Sequence, residues 1–175
     1  LNVYFSFQAE MARLESVPLE TSTKQLHAAL IETVKYHLIS DVPVGVFLSA
    51  GLDSASIMAL VSEVAVEQME TITLRFDEFE NSSRDEAPLA AEIAKLYNTR
   101  HQTRTVNSTD FIREKDDLLK AMDQPTIDGV NTYFVAKEAA DMGLKVVLSG
   151  AGGDELFGGY DSFRQIPSLV GTLGW

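Results

Sequence analysis

The stretch from Val44 to Leu60, Val-Gly-Val-Phe-Leu-Ser-Ala-Gly-Leu-Asp-Ser-Ala-Ser-Ile-Met-Ala-Leu, constrains the fold more than any other part of the chain. Val44 to Leu48 is a short apolar run with β-branched and aromatic residues, the length of one buried strand. Ser49 to Ser54 follows as a loop of small residues carrying two hydroxyls and one carboxylate, and Ile57, Leu60, Val61 and Val64 then recur at helical spacing. A strand, a tight loop and a helix in that order place the loop at the carboxyl end of a strand. The helix start there offers N–H groups without intrahelical partners and the positive end of the helix dipole, which suits an anion such as a phosphate. Gly51 permits close backbone approach, and Ser49 and Ser54 add hydroxyl donors.

The loop is not a Walker A loop, because no lysine lies within it and no Gly-Lys-Ser/Thr follows the glycine. It resembles the Ser-Gly-Gly-x-Asp-Ser pyrophosphate loop of ATP pyrophosphatases that activate a substrate as an adenylate, with Ala50 in place of the first glycine.

The rest of the chain repeats the strand–helix alternation. Ser22 and Gln25 have the spacing of a capping box, and Leu26, Leu30, Val34 and Leu38 form a stripe on the helix that follows. His27 and His37 flank this stripe without metal-spaced partners and read as surface residues. Further strands are expected at residues 71–76, 101–106 and 144–148, the third interrupted by Gln102 and Arg104. His101 reads as a strand-end residue. Helices are expected around Ala90 to Tyr97 with Pro88 in the first turn, over Ser108 to Met122, and over Thr132 to Met142 with Gly143 as the stop. Such alternation predicts an α/β fold with a parallel sheet and helices on both faces, ligands sitting beyond the carboxyl ends of the strands. Ser49 and Ser149 are expected at adjacent strand ends.

A second glycine-rich loop follows the last strand. Ser149 to Tyr160 reads Ser-Gly-Ala-Gly-Gly-Asp-Glu-Leu-Phe-Gly-Gly-Tyr, with Asp154 and Glu155 among five glycines. Two strand-end loops, each with an aspartate among small residues, read as two walls of one nucleotide site.

Together the loops closely resemble the synthetase domain of the glutamine-dependent asparagine synthetases. The family's Asp-Val-Pro-x-Gly-Val lead-in matches Asp41 to Val46, and its Ser-Gly-x-Gly-x-Asp-Glu-x-Phe-Gly-Gly-Tyr matches Ser149 to Tyr160. The likeness runs over roughly residues 22 to 166, and the second motif is the more specific. It implies an adenine-nucleotide α-hydrolase-like (Rossmann-like) α/β fold that uses ATP and Mg²⁺ in the cytoplasm. It also implies adenylation of the aspartate side-chain carboxylate, then amidation by ammonia from an N-terminal glutaminase domain. Carried over by position, Ser49, Gly51, Asp53 and Ser54 would hold the future pyrophosphate, and Asp53 and Asp154 would bind Mg²⁺. Leu48, Leu74, Ser149 and Gly150 would line the adenosine pocket. Residues 1–20 are then expected to be a linker or the tail of the glutaminase domain, and 21–175 part of the ATP-binding synthetase domain. The family's phosphate lysine is expected beyond residue 175, so this piece alone should be inactive.

Ala50, Ala55, Ala151 and the loop from Asp123 to Asn131 depart from the family pattern. At this level two other readings stay open: a related ligase that amidates another carboxylic acid or closes a β-lactam, and a non-catalytic nucleotide-binding module. Composition narrows the partners. A net charge of −12 disfavours a nucleic-acid surface, no apolar run has transmembrane length, and the absence of cysteine removes thiolate chemistry. No oligomeric state is specified by the pattern.

Overall fold

The apolar run at residues 44–48 becomes one of the two inner strands of a four-stranded sheet in the computed structural model, which describes residues 18–124, 126, 128–163 and 165–166. In chain order the elements are α1 (Leu19–His37), β1 (Val44–Phe47), α2 (Leu52–Val64), β2 (Glu70–Phe76), a 3₁₀ turn (Asp77–Phe79) and α3 (Ala87–Leu96). There follow β3 (Arg100–Val106), α4 (Ser108–Ala121), α5 (Gly129–Asp141), β4 (Val146–Leu148) and the short α6 (Gly153–Phe157). The strands lie in the order β3-β2-β1-β4 and every pairing is parallel. β1 pairs Val46 with Thr71 of β2 on one side and with Leu148 of β4 on the other.

This order fixes where a ligand can go. The chain steps outward from β1 to β2 to β3, then returns across the sheet to place β4 on the far side of β1. The direction of winding therefore reverses between β1 and β4, and a ligand crevice is expected beyond the carboxyl ends of these strands. Ser49 and Ser149, the expected neighbours, stand just beyond these two strand ends.

Side-chain alternation along the strands builds two apolar layers. Val46 and Leu48 point to one face and bury against Val34 of α1, Met58, Leu60 and Val61 of α2, and Ala90 and Ala94 of α3. Phe47 points to the other, against Ile72, Ala139 and Leu144. Further along that second face Val106, Leu118 and Phe134 close the core beneath α4 and α5. Helices thus cover both faces. Leu48, Met58, Ile72, Val46 and Val61 are fully buried, and each such side chain contributes about 1.5–3 kcal/mol of transfer free energy.

Polar groups in the sheet are matched locally. Thr71 is buried, and its hydroxyl lies 2.7 Å from the Thr99 hydroxyl and 3.0 Å from His101 Nδ1. Burial pushes the His101 imidazole below its ordinary value, and the residue stands near the start of β3, the strand-end position expected for it. Outside the sheet, the Asp110 carboxylate accepts the Asn107 N–H just before α4 and pairs with Arg113 at 2.7 Å. Arg104 reaches from β3 toward Asp110 and Glu138, and Tyr133 donates to Glu114 at 3.1 Å. This network ties β3, α4 and α5 together.

The strand expectations hold to within two residues. Helix starts were harder. α1 begins at Leu19, so no capping box forms at Ser22, whose hydroxyl instead donates to the Pro18 carbonyl at 3.3 Å. Proline cannot donate a backbone hydrogen bond but suits the edge of a helix, and it sets the earlier start. α4 carries a real capping box, in which Asn107 and Asp110 bond each other's backbone N–H. α5 begins at Gly129, three residues before the expected Thr132, and the Thr132 hydroxyl donates back to the Asp128 carbonyl. Gly143, with φ of +78°, ends this helix as expected. Of the stretch read as a linker, residues 1–17 lie outside the described residues, while Leu19 and Glu20 already belong to α1.

Candidate functional site

Each loop is shaped by its own serine. In the first, Gly51 N–H donates to Ser49 Oγ at 3.1 Å; in the second, Ala151 N–H donates to Ser149 Oγ at 3.2 Å. A serine hydroxyl accepting from the backbone two residues on is a side-chain-closed turn. The same device bends the chain away from both strand ends. Ser54, buried in the first turn of α2, holds the first loop from behind. Its Oγ accepts the Ser49 N–H at 3.1 Å and lies 2.8 Å from Ser49 Oγ and 2.9 Å from the Ser49 carbonyl. Thr73 of β2 donates its hydroxyl to the Leu48 carbonyl, tying the neighbouring strand to the loop's base. Ala50 sits in this turn without positive φ, so no strain accompanies its replacement of a glycine.

The helix that follows begins with Gly51 at its N-cap and no side-chain cap. Its first N–H groups therefore have no capping side chain to satisfy them. Asp53 stands in this first turn, half-buried.

The second loop approaches so closely that a side chain at Gly150 or Gly153 would press on the first. A Cβ at Gly150 would lie 2.9 Å from Asp53 Cβ and 3.1 Å from Ser54 N, and a Cβ at Gly153 would fall on the Asp53 carboxylate itself. Gly153 opens α6, whose first turn carries Asp154 and Glu155. The Asp154 carboxylate lies over Gly159, where a Cβ would again collide with it. Glu155 is turned aside and accepts from the Tyr160 hydroxyl at 2.8 Å; that bond pushes the phenol above its ordinary value. Asp53 and Asp154, by contrast, have no hydrogen-bond or ion-pair partner on their carboxylates among the described residues.

All nine residues predicted for the site line one open cleft of about 920 Å³: Leu48, Ser49, Gly51, Asp53, Ser54, Leu74, Ser149, Gly150 and Asp154. The cleft runs from the β4 loop across β1 to the end of β2. Its β1–β4 end is built from N–H groups, hydroxyls and two carboxylates. Toward β2 it gains apolar side chains, Phe47, Leu48, Leu74 and Phe76. Such a division suits a ligand with an anionic tail and a flat, weakly polar head. Among the described residues no three carboxylates or imidazoles converge to hold a metal ion alone. Two carboxylates without partners, Asp53 at the start of α2 and Asp154 at the start of α6, would fit a cation that completes its shell with ligand oxygens and water.

Sequence reasoning missed one side of the cleft. Arg75, Phe79, Arg84 and Asp85 also line it. Arg75 Nη2 donates to Asp85 Oδ2 at 2.8 Å. Burial pushes the Asp85 carboxyl up, but that bond and the N–H groups of Asn81 and Ala87 outweigh it and hold the group below its ordinary value. The available signal was an arginine at the carboxyl end of an otherwise apolar strand, Thr-Ile-Thr-Leu-Arg-Phe.

The parallel sheet, its reversal beside β1 and the glycine loops beyond it define an adenine-nucleotide α-hydrolase-like fold. The NH3-dependent NAD synthetase from Campylobacter jejuni shares that fold, with a TM-score of 0.52 at 15% identity over 78% of this chain and 60% of that one. The asparagine synthase family matches residues 25–174, and the chain belongs to it. It is 34% identical over 148 residues to asparagine synthetase (glutamine-hydrolyzing) 1 of Bacillus subtilis, covering 83% of this chain and 23% of that protein. It is also 34% identical over 160 residues to asparagine synthetase B (glutamine-hydrolyzing) of Escherichia coli, covering 85% of this chain and 29% of that protein. The chain thus spans about a quarter of the length of these relatives. Among the described residues no helix is long and apolar enough to cross a membrane.

Proposed function

We propose that this chain is the nucleotide-binding part of an ATP-dependent ligase that makes asparagine from aspartate, with glutamine as the ammonia source. The observation that carries the reading is the contact between the two loops: Gly150 and Gly153 close against Asp53, so both strand-end loops face one cleft. Family membership and the two curated relatives supply the reaction class.

In this reading the triphosphate lies against the β1 and β4 loops, and the adenosine extends over Leu48, Leu74, Ser149 and Gly150. A side-chain oxygen of aspartate attacks the α-phosphorus, the bond to the β,γ-pyrophosphate breaks, and aspartyl-adenylate forms. Ammonia then attacks the acyl carbon, AMP leaves, and one proton is lost from nitrogen. The first step needs no general base, because the attacking carboxylate is already ionised at neutral pH. What it needs is stabilisation of charge on the leaving pyrophosphate. The Ser49 hydroxyl and the N–H groups of the first turn of α2 would provide fixed donors, each worth about 2.7–4 kcal/mol in the transition state, and Gly51 would let the phosphates come close. Ser54, already bonded to Ser49, keeps those donors in place. Mg²⁺, which Asp53 and Asp154 would hold, supplies further neutralisation of the phosphate charge.

The partners that follow are ATP, aspartate, ammonia and a glutaminase domain of the same protein, all in the cytoplasm. The test is pyrophosphate release by the full-length protein across a panel of carboxylic acids. Release that depends on aspartate supports the reading; release driven by a different acid and not by aspartate would replace it with a related ligase.

A further inference from the structure

The glycine loops leave one wall of the cleft without a role. After β2 the chain passes through the 3₁₀ turn at Asp77–Phe79 and a polar segment before α3 begins, and Phe79, Arg84, Asp85 and Glu86 from this segment line the cleft beside Leu74 and Phe76. The Arg84 guanidinium carbon lies 5.7 Å from the centre of the Phe79 ring. Phe79 in turn meets Phe76 edge-on, with centroids 6.3 Å apart. The segment contains Asp77, Glu78, Glu80, Asp85 and Glu86, yet no carboxylate among the described residues lies within ion-pair distance of Arg84.

The nearby carboxylates are engaged by Arg75 instead. Its Nη2 lies 2.8 Å from Asp85 and 3.1 Å from Glu80. The Asp85 side chain is only 3% exposed and also accepts from the N–H groups of Asn81 and Ala87, at 3.4 and 3.3 Å. One buried carboxylate thus pins the end of β2, the turn and the start of α3. The segment is a fixed wall, and its free face is an aromatic ring paired with a guanidinium.

We propose that Phe79 and Arg84 contact the base of the bound nucleotide, with Arg75 and Asp85 as positioning residues that hold this wall. The inference rests on the nucleotide reading above. A nucleotide whose phosphates lie against the β1 and β4 loops, and whose sugar crosses Leu48 and Leu74, carries its base toward β2, where this wall stands. The five carboxylates of the segment disfavour phosphate at that end and leave an uncharged group unaffected. A planar guanidinium and an aromatic ring both accept the face of a purine.

The experiment measures AMP and pyrophosphate binding to the full-length protein by calorimetry for wild type, Arg84→Ala, Arg84→Lys and Phe79→Leu. Arg84→Ala and Phe79→Leu are expected to weaken AMP binding about fivefold to thirtyfold while leaving pyrophosphate binding unchanged. Arg84→Lys keeps the charge but loses the plane and should not restore the affinity. Asp85→Asn should raise KM for ATP with little change in kcat, as a loss of uniform binding does. Loss of pyrophosphate affinity in Arg84→Ala with rescue by lysine would overturn the proposal in favour of a phosphate contact. AMP binding equal to wild type in both Arg84→Ala and Phe79→Leu would remove the wall alone. A wild-type protein that binds neither probe would bring down the nucleotide reading and this inference with it.

Discussion

Replacing Gly153 with alanine should remove catalysis while sparing the fold. The added methyl would lie 2.8 Å from Asp53 Oδ1 and nearer still to Oδ2 and the carboxyl carbon. Ordinary contact begins near 3.4 Å, so the carboxylate must move by about 1 Å or rotate away, a displacement that costs on the order of 10²-fold when it affects a reacting group. If Asp53 holds the metal that steadies the leaving pyrophosphate, the loss should reach about 10²–10³ in kcat. Stability should not follow. Gly153 is the first residue of α6 and does not have positive φ, so alanine fits the backbone and improves helix propensity by up to about 1 kcal/mol. The assay is aspartate-dependent pyrophosphate release by full-length Gly153→Ala, with thermal unfolding measured alongside. A folded variant with kcat within twofold of wild type would refute the proposed placement of Asp53 against the β4 loop.

Asp53→Asn and Asp154→Asn should each reduce kcat/KM by a factor equivalent to about 2–4 kcal/mol, read in the same assay; near-normal turnover in both would remove the metal-binding role. Gly150→Ala should destabilise by about 1–3 kcal/mol in denaturant unfolding, because its Cβ would press on Asp53 Cβ and on backbone N of Ser54. Acid stability should depend on Asp110, whose carboxyl is held below its ordinary value by the Asn107 N–H and by Arg113 and Arg104. With the folded value below the unfolded one, the stabilisation is complete above about pH 4 and is lost as pH falls through the folded value. Asp110→Asn should therefore be less stable at pH 7, with a shallower decline below about pH 4; an unchanged acid-unfolding profile would contradict the network.

The central strands were legible because burial on both faces leaves a continuous apolar run, as at Val44 to Leu48. β3 was faint for a physical reason: it is the sheet's edge, and Gln102 and Arg104 face outward toward solvent and the α4–α5 ion pairs. The two loops stood out through small residues and glycine, whose need comes from close approach, as at Gly150 and Gly153. Their joining into one cleft depends on strand order. Nothing in local pattern places β4 beside β1; that follows from the return across the sheet. The Phe79–Arg84 wall was hidden for a similar reason. Its arginine sits in an acidic segment that reads as solvated loop, and only the capture of Asp85 and Glu80 by Arg75 leaves Arg84 on Phe79.

The measurement that tests the account most directly follows oxygen. If the aspartate side chain attacks the α-phosphorus and ammonia later displaces AMP, one carboxylate oxygen must leave on the AMP. Full-length protein supplied with ATP, ammonia and aspartate labelled with ¹⁸O in its side-chain carboxylate should yield AMP carrying one label and unlabelled pyrophosphate. Label in inorganic phosphate with ADP as the other product, or asparagine formed with unlabelled AMP, would contradict adenylation in this cleft.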